Sequence, residues 1–409
     1  MKDKKQNKRI NGGHRLLFFC ILCLFGRYVA VSYAEEQPQR EQSKTKVILL
    51  HTDNLTYDQY RHPGAQILTG NVQFQHDGVL MYCDSACFYE ATNSFDAFGH
   101  VKMVQGDTLD LVGDMLLYNG LDQLARVRHN VVLTHRESKL YTDSLDYDRL
   151  YELGYFFEGG KLVDKDNVLT SDWGQYSPPT RQAVFNYNVK LENPKFTLIS
   201  DTLNYNTLTS MAEIVGPSNI DSGDNHIYSE SGFYNTQTEE AILLDRSIVT
   251  NKGRKMVGDS LYYDSKSGVG EGFRNVVYTD EVNKNMLTGN YCYYNDSTGY
   301  SMATDSAVAI DYSQRDTMYM HADTFKVYTF YMDTDSMYRE VRGYHKVRSY
   351  RMDVQSVCDS LVFDSRDTCI TMYRDPIVWN GGQQVLGEVI KVYLNDSTID
   401  RIHVIDQTL

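Results

Sequence analysis

From residue 47 onward one hydrophobic–polar pattern returns again and again. Thr142-Asp143-Ser144-Leu145-Asp146-Tyr147 has relatives in Ser200-Asp201-Thr202-Leu203-Asn204-Tyr205 and Gly258-Asp259-Ser260-Leu261-Tyr262-Tyr263. The leading position recurs at Asp53, Asp84, Asp114, Asp143, Asp172, Asp201, Glu230, Asp259, Asn290, Asp323, Asp359 and Glu388, at steps of 29 to 36 residues with 29 the commonest. Eleven of these twelve are acidic, where the overall acid content would place fewer than two by chance. Four residues further on stand Tyr57, Phe88, Tyr118, Tyr147, Tyr176, Tyr205, Tyr234, Tyr263, Tyr294, Val327, Phe363 and Val392, ten of them aromatic. The position between is small or apolar, as at Leu55, Leu116, Leu145, Leu203, Leu261 and Leu361. Acid, aliphatic and aromatic at i, i+2 and i+4 follow a period of two, so they share one face of a β-strand.

A second signal lies downstream of most acids: Gly70-Asn71-Val72, Gly99-His100-Val101, Asn130-Val131-Val132, Asn188-Val189, Asn219-Ile220 and Asn275-Val276-Val277. A turn-competent residue followed by β-branched ones is expected to start a strand. Each unit then holds two strands and two turns, and twelve units hold about two dozen strands. A two-stranded unit cannot bury its own apolar face, so neighbours must stack. The expected fold is all-β: an elongated, open β-jellyroll of two facing antiparallel sheets, built from about twelve two-stranded repeats of ~29 residues. Residues 47–289 form the regular part. Residues 290–409 continue it with looser spacing and a terminal hairpin.

Composition sharpens this picture. The 32 Tyr residues largely occupy the aromatic row, and only 7 Pro interrupt the chain, as paired strands require. The formal net charge of -14 excludes a basic nucleic-acid footprint. Six Lys/Arg among residues 1–15 precede the apolar run from Leu16 to Phe25, which is too short to span a bilayer but suits an export signal. Cleavage is expected after Ala34, with residues 35–46 as a linker; the chain beyond Ala34 carries a net charge of -20. It keeps Cys83, Cys87, Cys292, Cys358 and Cys369, whose spacing matches no disulfide framework or zinc pattern, so they are expected as buried small hydrophobes.

Catalytic signals are weak. Gly258-Asp259-Ser260-Leu261 spells a known esterase signature, yet it is one copy of a repeat that also reads Cys358-Asp359-Ser360-Leu361, and a nucleophile does not recur every 29 residues. His129 and His135 flank Val131-Val132-Leu133 and are expected to cap it. Asp333 and Asp335 form an acidic pair without the calcium-loop pattern. No catalytic residue, metal site or cofactor is assigned. The acids are expected at strand starts, accepting hydrogen bonds from turn backbone or nearby Ser and Thr.

The unit Asp-Ser-Leu-x-Tyr-Asp, followed by a Gly-Asn-Val segment, resembles the OstA-like family over about residues 47–409. That family comprises periplasmic proteins and domains of lipopolysaccharide transport, including a soluble bridge protein and the N-terminal part of the outer-membrane translocon. The resemblance implies an open β-jellyroll whose apolar groove holds lipid A acyl chains. It implies periplasmic location, stacking end to end, and partners in an inner-membrane anchor and an outer-membrane translocon. The 29-residue period is longer than expected of compact members, and no barrel region follows, which argues against the translocon itself. The groove candidates are Leu55, Tyr57, Phe88, Leu116, Tyr118, Leu145, Tyr147, Tyr176, Leu203, Tyr205, Tyr234, Leu261, Tyr263, Tyr294, Leu361 and Phe363. Burial of a methylene contributes about 0.8 kcal/mol, so such rows can hold acyl chains without covalent chemistry. The alternatives are an exported structural β-solenoid scaffold or adhesin with a closed core, and a carbohydrate-active β-helix enzyme. Segments near 47–57 and 385–404 are the expected docking edges.

Overall fold

The computed structural model describes residues 45–405 except 314, 333, 396 and 397. The expected signal peptide, nearly all of the linker, and Asp333 lie outside the described residues. Among the described residues, apart from one short 3-10 turn at Glu90–Thr92, the regular structure is β: 31 strands, each hydrogen-bonded antiparallel to its neighbours in one continuous ladder. The all-β, two-strand repeat is therefore observed.

The strand count carries a lesson. Typical strands, such as Val79–Tyr89, Ser94–Gln105, Leu109–Asn119 and Leu124–His135, are 11 or 12 residues long. Seven others are broken in two at the middle, as at Leu153–Phe156 with Gly160–Asp164, whose two pieces both pair with Ser138–Asp148. Counting each broken strand once leaves 24 long strands, two for each of the twelve units.

Every long strand bends near its centre. In strands such as Ser94–Gln105 the register slips between Phe98 and Val101, the signature of a bulge. Nine such bends hold two consecutive residues in the left-handed region, among them Gly70-Asn71, Gly99-His100, His129-Asn130, Tyr187-Asn188 and Arg274-Asn275. The Gly-Asn-Val signal thus marks the middle of a strand, not its start. The turn-competent residue is needed there because the strand folds over, and Asn tolerates positive φ better than most side chains. His129 likewise sits in a bend and His135 at the end of the same strand, so neither caps Val131-Val132-Leu133 as expected.

The bends divide the ladder into two facing layers. Residues 94–98, 115–119 and 124–128 pair within the first layer; residues 101–105, 109–113 and 131–135 pair within the second. Both halves of each strand turn their apolar residues inward, which is why buried positions run 79, 81, 83 and then 86, 88. The phase shifts by one residue at the acid, Asp84, which is left on the outside. Four of the five free cysteines are buried and Cys87 is half-buried. Desolvation raises the thiols of Cys83 and Cys358 to about 12, so they behave as apolar filler.

The aromatic row packs by alternation of size. Across the ladder Tyr118 and Tyr147 both face Ala125, Tyr147 and Tyr176 face Gly154, and Tyr176 and Tyr205 face Ala183. The series continues with Ala212, Ala241 and Gly270 between Tyr205, Tyr234, Tyr263 and Tyr294. Each ring fills the space that its small neighbour leaves. The buried side chains fall into two clusters, one from Val47 to Leu261 and one from Val276 to Val392.

Candidate functional site

The space between the two layers is the candidate site, and it changes character along the chain. In the second layer the inward position one step from the bend is taken in turn by Phe74, Met81, Met103, Leu111, Leu133, Leu140, Leu162, Leu169, Leu191, Leu198 and Ile220. All of these are at most 2% exposed. The same position is then taken by Ile227, Val249, Met256, Tyr278, Leu287, Ala309 and Met320, all half-buried. Facing them, Tyr118, Tyr147, Tyr176 and Tyr205 are fully enclosed, whereas Tyr263 and Phe363 are half-buried and Tyr294 is 39% exposed. The residues nearest the bends, such as Ala303, Ala307, Ala322 and Phe325, stay buried throughout. The layers are therefore closed to their edges up to about Ile220. Between Ile227 and Met320 the edges admit solvent over an apolar cleft above the buried bends, and the same position is enclosed again at Ser356 and Val378.

Polar bridges join the edges of the closed part. His76 Nδ1 contacts Tyr118 Oη at 2.7 Å, and Arg149 donates to Tyr118 Oη and to the His76 carbonyl. His135 Nδ1 contacts Tyr176 Oη at 2.7 Å. Tyr205 donates to Asp164 at 2.8 Å and accepts from Asn167 at 2.9 Å, and Asn167 also reaches Thr236. Tyr147 is the exception, since its hydroxyl is buried without a partner. In the open part Tyr294 bonds instead to Asp296, two residues away in its own turn. One aromatic row thus serves two ends: the hydroxyls of Tyr118, Tyr176 and Tyr205 meet groups across the edges and hold the layers shut, while Tyr263 and Tyr294 line the opening.

Of the sixteen groove candidates, Phe88, Leu116, Tyr118, Leu145, Tyr147, Tyr176, Leu203, Tyr205, Tyr234, Leu261 and Leu361 are buried. Leu55 and Tyr57 lie exposed on the first strands, and Tyr263, Tyr294 and Phe363 face the parted edges. The second-layer wall of the cleft, Met256, Tyr278, Leu287 and Met320, carries no repeat signature strong enough to be read from the sequence. Its signal is only the alternation within each strand.

The acidic row is placed differently from expectation. Each acid lies mid-strand, beside the bend of a neighbouring strand, rather than at a strand start. Asp53 accepts from Asn71 at 3.0 Å, Asp114 from Asn130 at 2.6 Å, Asp172 from Asn188 at 2.7 Å and Asp259 from Asn275 at 2.8 Å. His100 pairs with Asp84 at 2.7 Å and His129 with Asp143 at 3.1 Å. The partners are thus the side chains of left-handed bend residues, not turn backbone or Ser and Thr. The hydrogen bond that the His100 imidazolium donates to the Asp84 carboxylate favours the charged form, raising the His100 pKa above the ordinary value. Asp259 of the esterase-like signature is one of this row and also binds Arg246. Among the described residues no cluster of three His, Cys, Asp or Glu side chains could hold a metal ion.

Among the described residues, the edges of the ladder are unpaired at both ends. Ile48–His51 and Asn54–Tyr57 pair only with Gln66–His76. At the other end Gln383–Leu386 pairs only with Ile377–Asn380, and Thr398–Ile405 only with Val389–Asn395.

Compared with known proteins, residues 44–201 and 195–259 match the family described as OstA-like protein; together they span more than half of the chain. Among solved structures the chain is similar to LptH of Pseudomonas aeruginosa, described as the LptA homologous periplasmic component of the conserved lipopolysaccharide transport device. Identity is 18%, the likeness covers 37% of this chain and 94% of that one, and the TM-score is 0.25. No curated protein matches the chain.

Proposed function

The chain belongs to the OstA-like family, and from that premise we propose that it is a periplasmic component of lipopolysaccharide transport that shelters acyl chains between its layers. The observation that carries the reading is the parting of the layer edges between Ile227 and Met320. It exposes apolar rows that a purely structural stack would keep closed. Acyl chains demand a dry surface and no hydrogen bonds, and Met256, Leu287, Met320, Phe363 and Ile370 supply one. Transfer along such a cleft is a matter of sliding between equivalent apolar positions and needs no bond to break. The unpaired strands at 48–57 and 383–405 support end-on pairing with sister domains or a second copy, at an inner-membrane anchor and an outer-membrane translocon.

Photo-crosslinking in cells tests this. A probe amino acid at Leu287 or Met320 is expected to capture lipopolysaccharide. A probe at the adjacent outward positions Thr288 and Tyr319, or at the enclosed Tyr205, is expected to capture none. Equal labelling on both faces, or none from Leu287 and Met320, ends the proposal.

A further inference from the structure

A basic cavity lies across the edges of the closed part, where no function has been placed. Its volume is about 330 Å³, and it is lined by His135, Arg136, Glu137, Ser138, Asp164, Lys165, Arg181, Thr207 and Leu208. Two tight turns of the second layer supply Arg136 and Lys165: one joins Leu124–His135 to Ser138–Asp148, the other joins Gly160–Asp164 to Asn167–Ser171. Turns of the first layer supply Arg181, after Trp173–Ser177, and Thr207, after Phe196–Asn206. All three cationic residues hold a left-handed backbone, with φ between 54° and 57°. Three cations from three turns therefore converge on one space in a chain whose net charge is -14.

The local charges are not neutralised in pairs. Among the described residues, no ion pair joins Arg136, Lys165 or Arg181 to a carboxylate; Lys165 only donates to Ser210 at 3.2 Å. Asp164, the buried acid of the cavity, already accepts from Ser138 on one oxygen at 2.7 Å and from Tyr205 on the other at 2.8 Å. Glu137 is exposed. His135 is 7% exposed and uses Nδ1 for Tyr176, which leaves Nε2 on the opposite side of the ring. Desolvation chiefly, and then the charges of Arg136 and Arg181, push the His135 pKa down.

We propose that this cavity binds a phosphate monoester. Two guanidinium groups and an ammonium match a doubly charged oxyanion, and Arg presents the fork that fits its oxygens. The Thr207 hydroxyl adds a neutral donor. The volume exceeds that of a bare phosphate and falls in the range of small-molecule sites, so it leaves room for the group that carries the phosphate. Occupancy would tie turns of the two layers together over the His135–Tyr176 bridge. A soluble phosphate ester and the headgroup of a phosphorylated lipid present the same chemistry to these residues.

Titration calorimetry with glycerol 3-phosphate, and flotation with phosphatidylcholine vesicles with or without phosphatidic acid, separate the two sources. The purified protein is expected to bind glycerol 3-phosphate saturably. Arg136→Gln or Arg181→Gln, which remove the charge and keep a polar amide, are expected to weaken binding about tenfold or more. Lys252→Ala, which removes a surface cation paired with Asp224 elsewhere, is expected to change nothing. Binding to both probes assigns the cavity to a lipid headgroup, and binding to glycerol 3-phosphate alone assigns it to a soluble ester. Circular dichroism and denaturant unfolding confirm that each variant is folded. Absence of saturable binding to either probe, or Arg variants that bind like the wild type, overturns the proposal.

Discussion

At the scale of single residues, the tyrosine hydroxyls separate members of a row that are alike in sequence. Tyr205 supplies a donor to buried Asp164, so Tyr205→Phe leaves that carboxylate short of a partner. The expected loss is about 1–3 kcal/mol, read as a lower midpoint in denaturant unfolding. Tyr147 occupies the equivalent position but its hydroxyl has no partner, so Tyr147→Phe is expected to be neutral or stabilising. Equal losses for the two variants would contradict the assignment of the bridges. The histidines of the same edges make a pH prediction. Burial lowers the pKa of His76, where Asp77 opposes and Arg149 reinforces the effect; burial also lowers that of His135, reinforced by Arg136 and Arg181. A lowered folded pKa means that the unfolded chain binds protons more readily. This contribution is intact above the ordinary value of 6.5 and is lost as pH falls from there through the lowered folded values. His76→Gln with His135→Gln should flatten the fall in stability below pH 6.5; a slope equal to that of the wild type refutes it.

At the scale of the element, the bend is the device that turns a ladder into two layers. A flat strand of 12 residues would carry one buried face and one wet face along its whole length. The left-handed pair reverses the course of the strand, and the acid of a neighbouring strand ties the bend down through Asn or His. Gly99 has a φ of 76°, and a side chain there would press against the Asp84 carboxylate. Gly99→Val is therefore expected to cost roughly 1–2 kcal/mol from backbone strain alone, with further loss from the contact. Asn188→Gly keeps the backbone freedom but removes the bond to Asp172, so its loss should be smaller; thermal unfolding of the two variants makes the comparison. The strand face was legible because it is a local pattern of period two, and the repeat and the acid row because they return at a near-constant spacing of about 29 residues. That the acid stands outside the face shared by the next two apolar positions was not legible. Nor was the position of the acid within the strand. A Gly-Asn pair before Val is equally good chemistry for a turn between strands and for a bend inside one, and only pairing on both sides distinguishes them.

At the scale of the whole ladder, closure and opening come from the relation between layers. Tyr205 and Tyr294 stand in the same repeat position, yet one is sealed and the other exposed. Asp164 and Asn167 meet the first from the facing layer, and only the neighbouring Asp296 meets the second. Partly buried strands with fewer enclosed contacts open more readily. Amide exchange should therefore be faster in residues 285–311 than in residues 182–206, and equal protection would speak against a parted cleft. Acyl occupancy should slow exchange in the first segment only. The sequence by itself determined the all-β class, the two-strand unit, its number and the inward face, because alternation and a near-constant period are written residue by residue. The tertiary structure decided where the strands fold over, which tyrosines lock the layers, where the cleft opens and how Arg136, Lys165 and Arg181 come together. Each of these depends on side chains meeting across dozens of residues of intervening chain, at distances set by the stacking of the layers rather than by any local pattern.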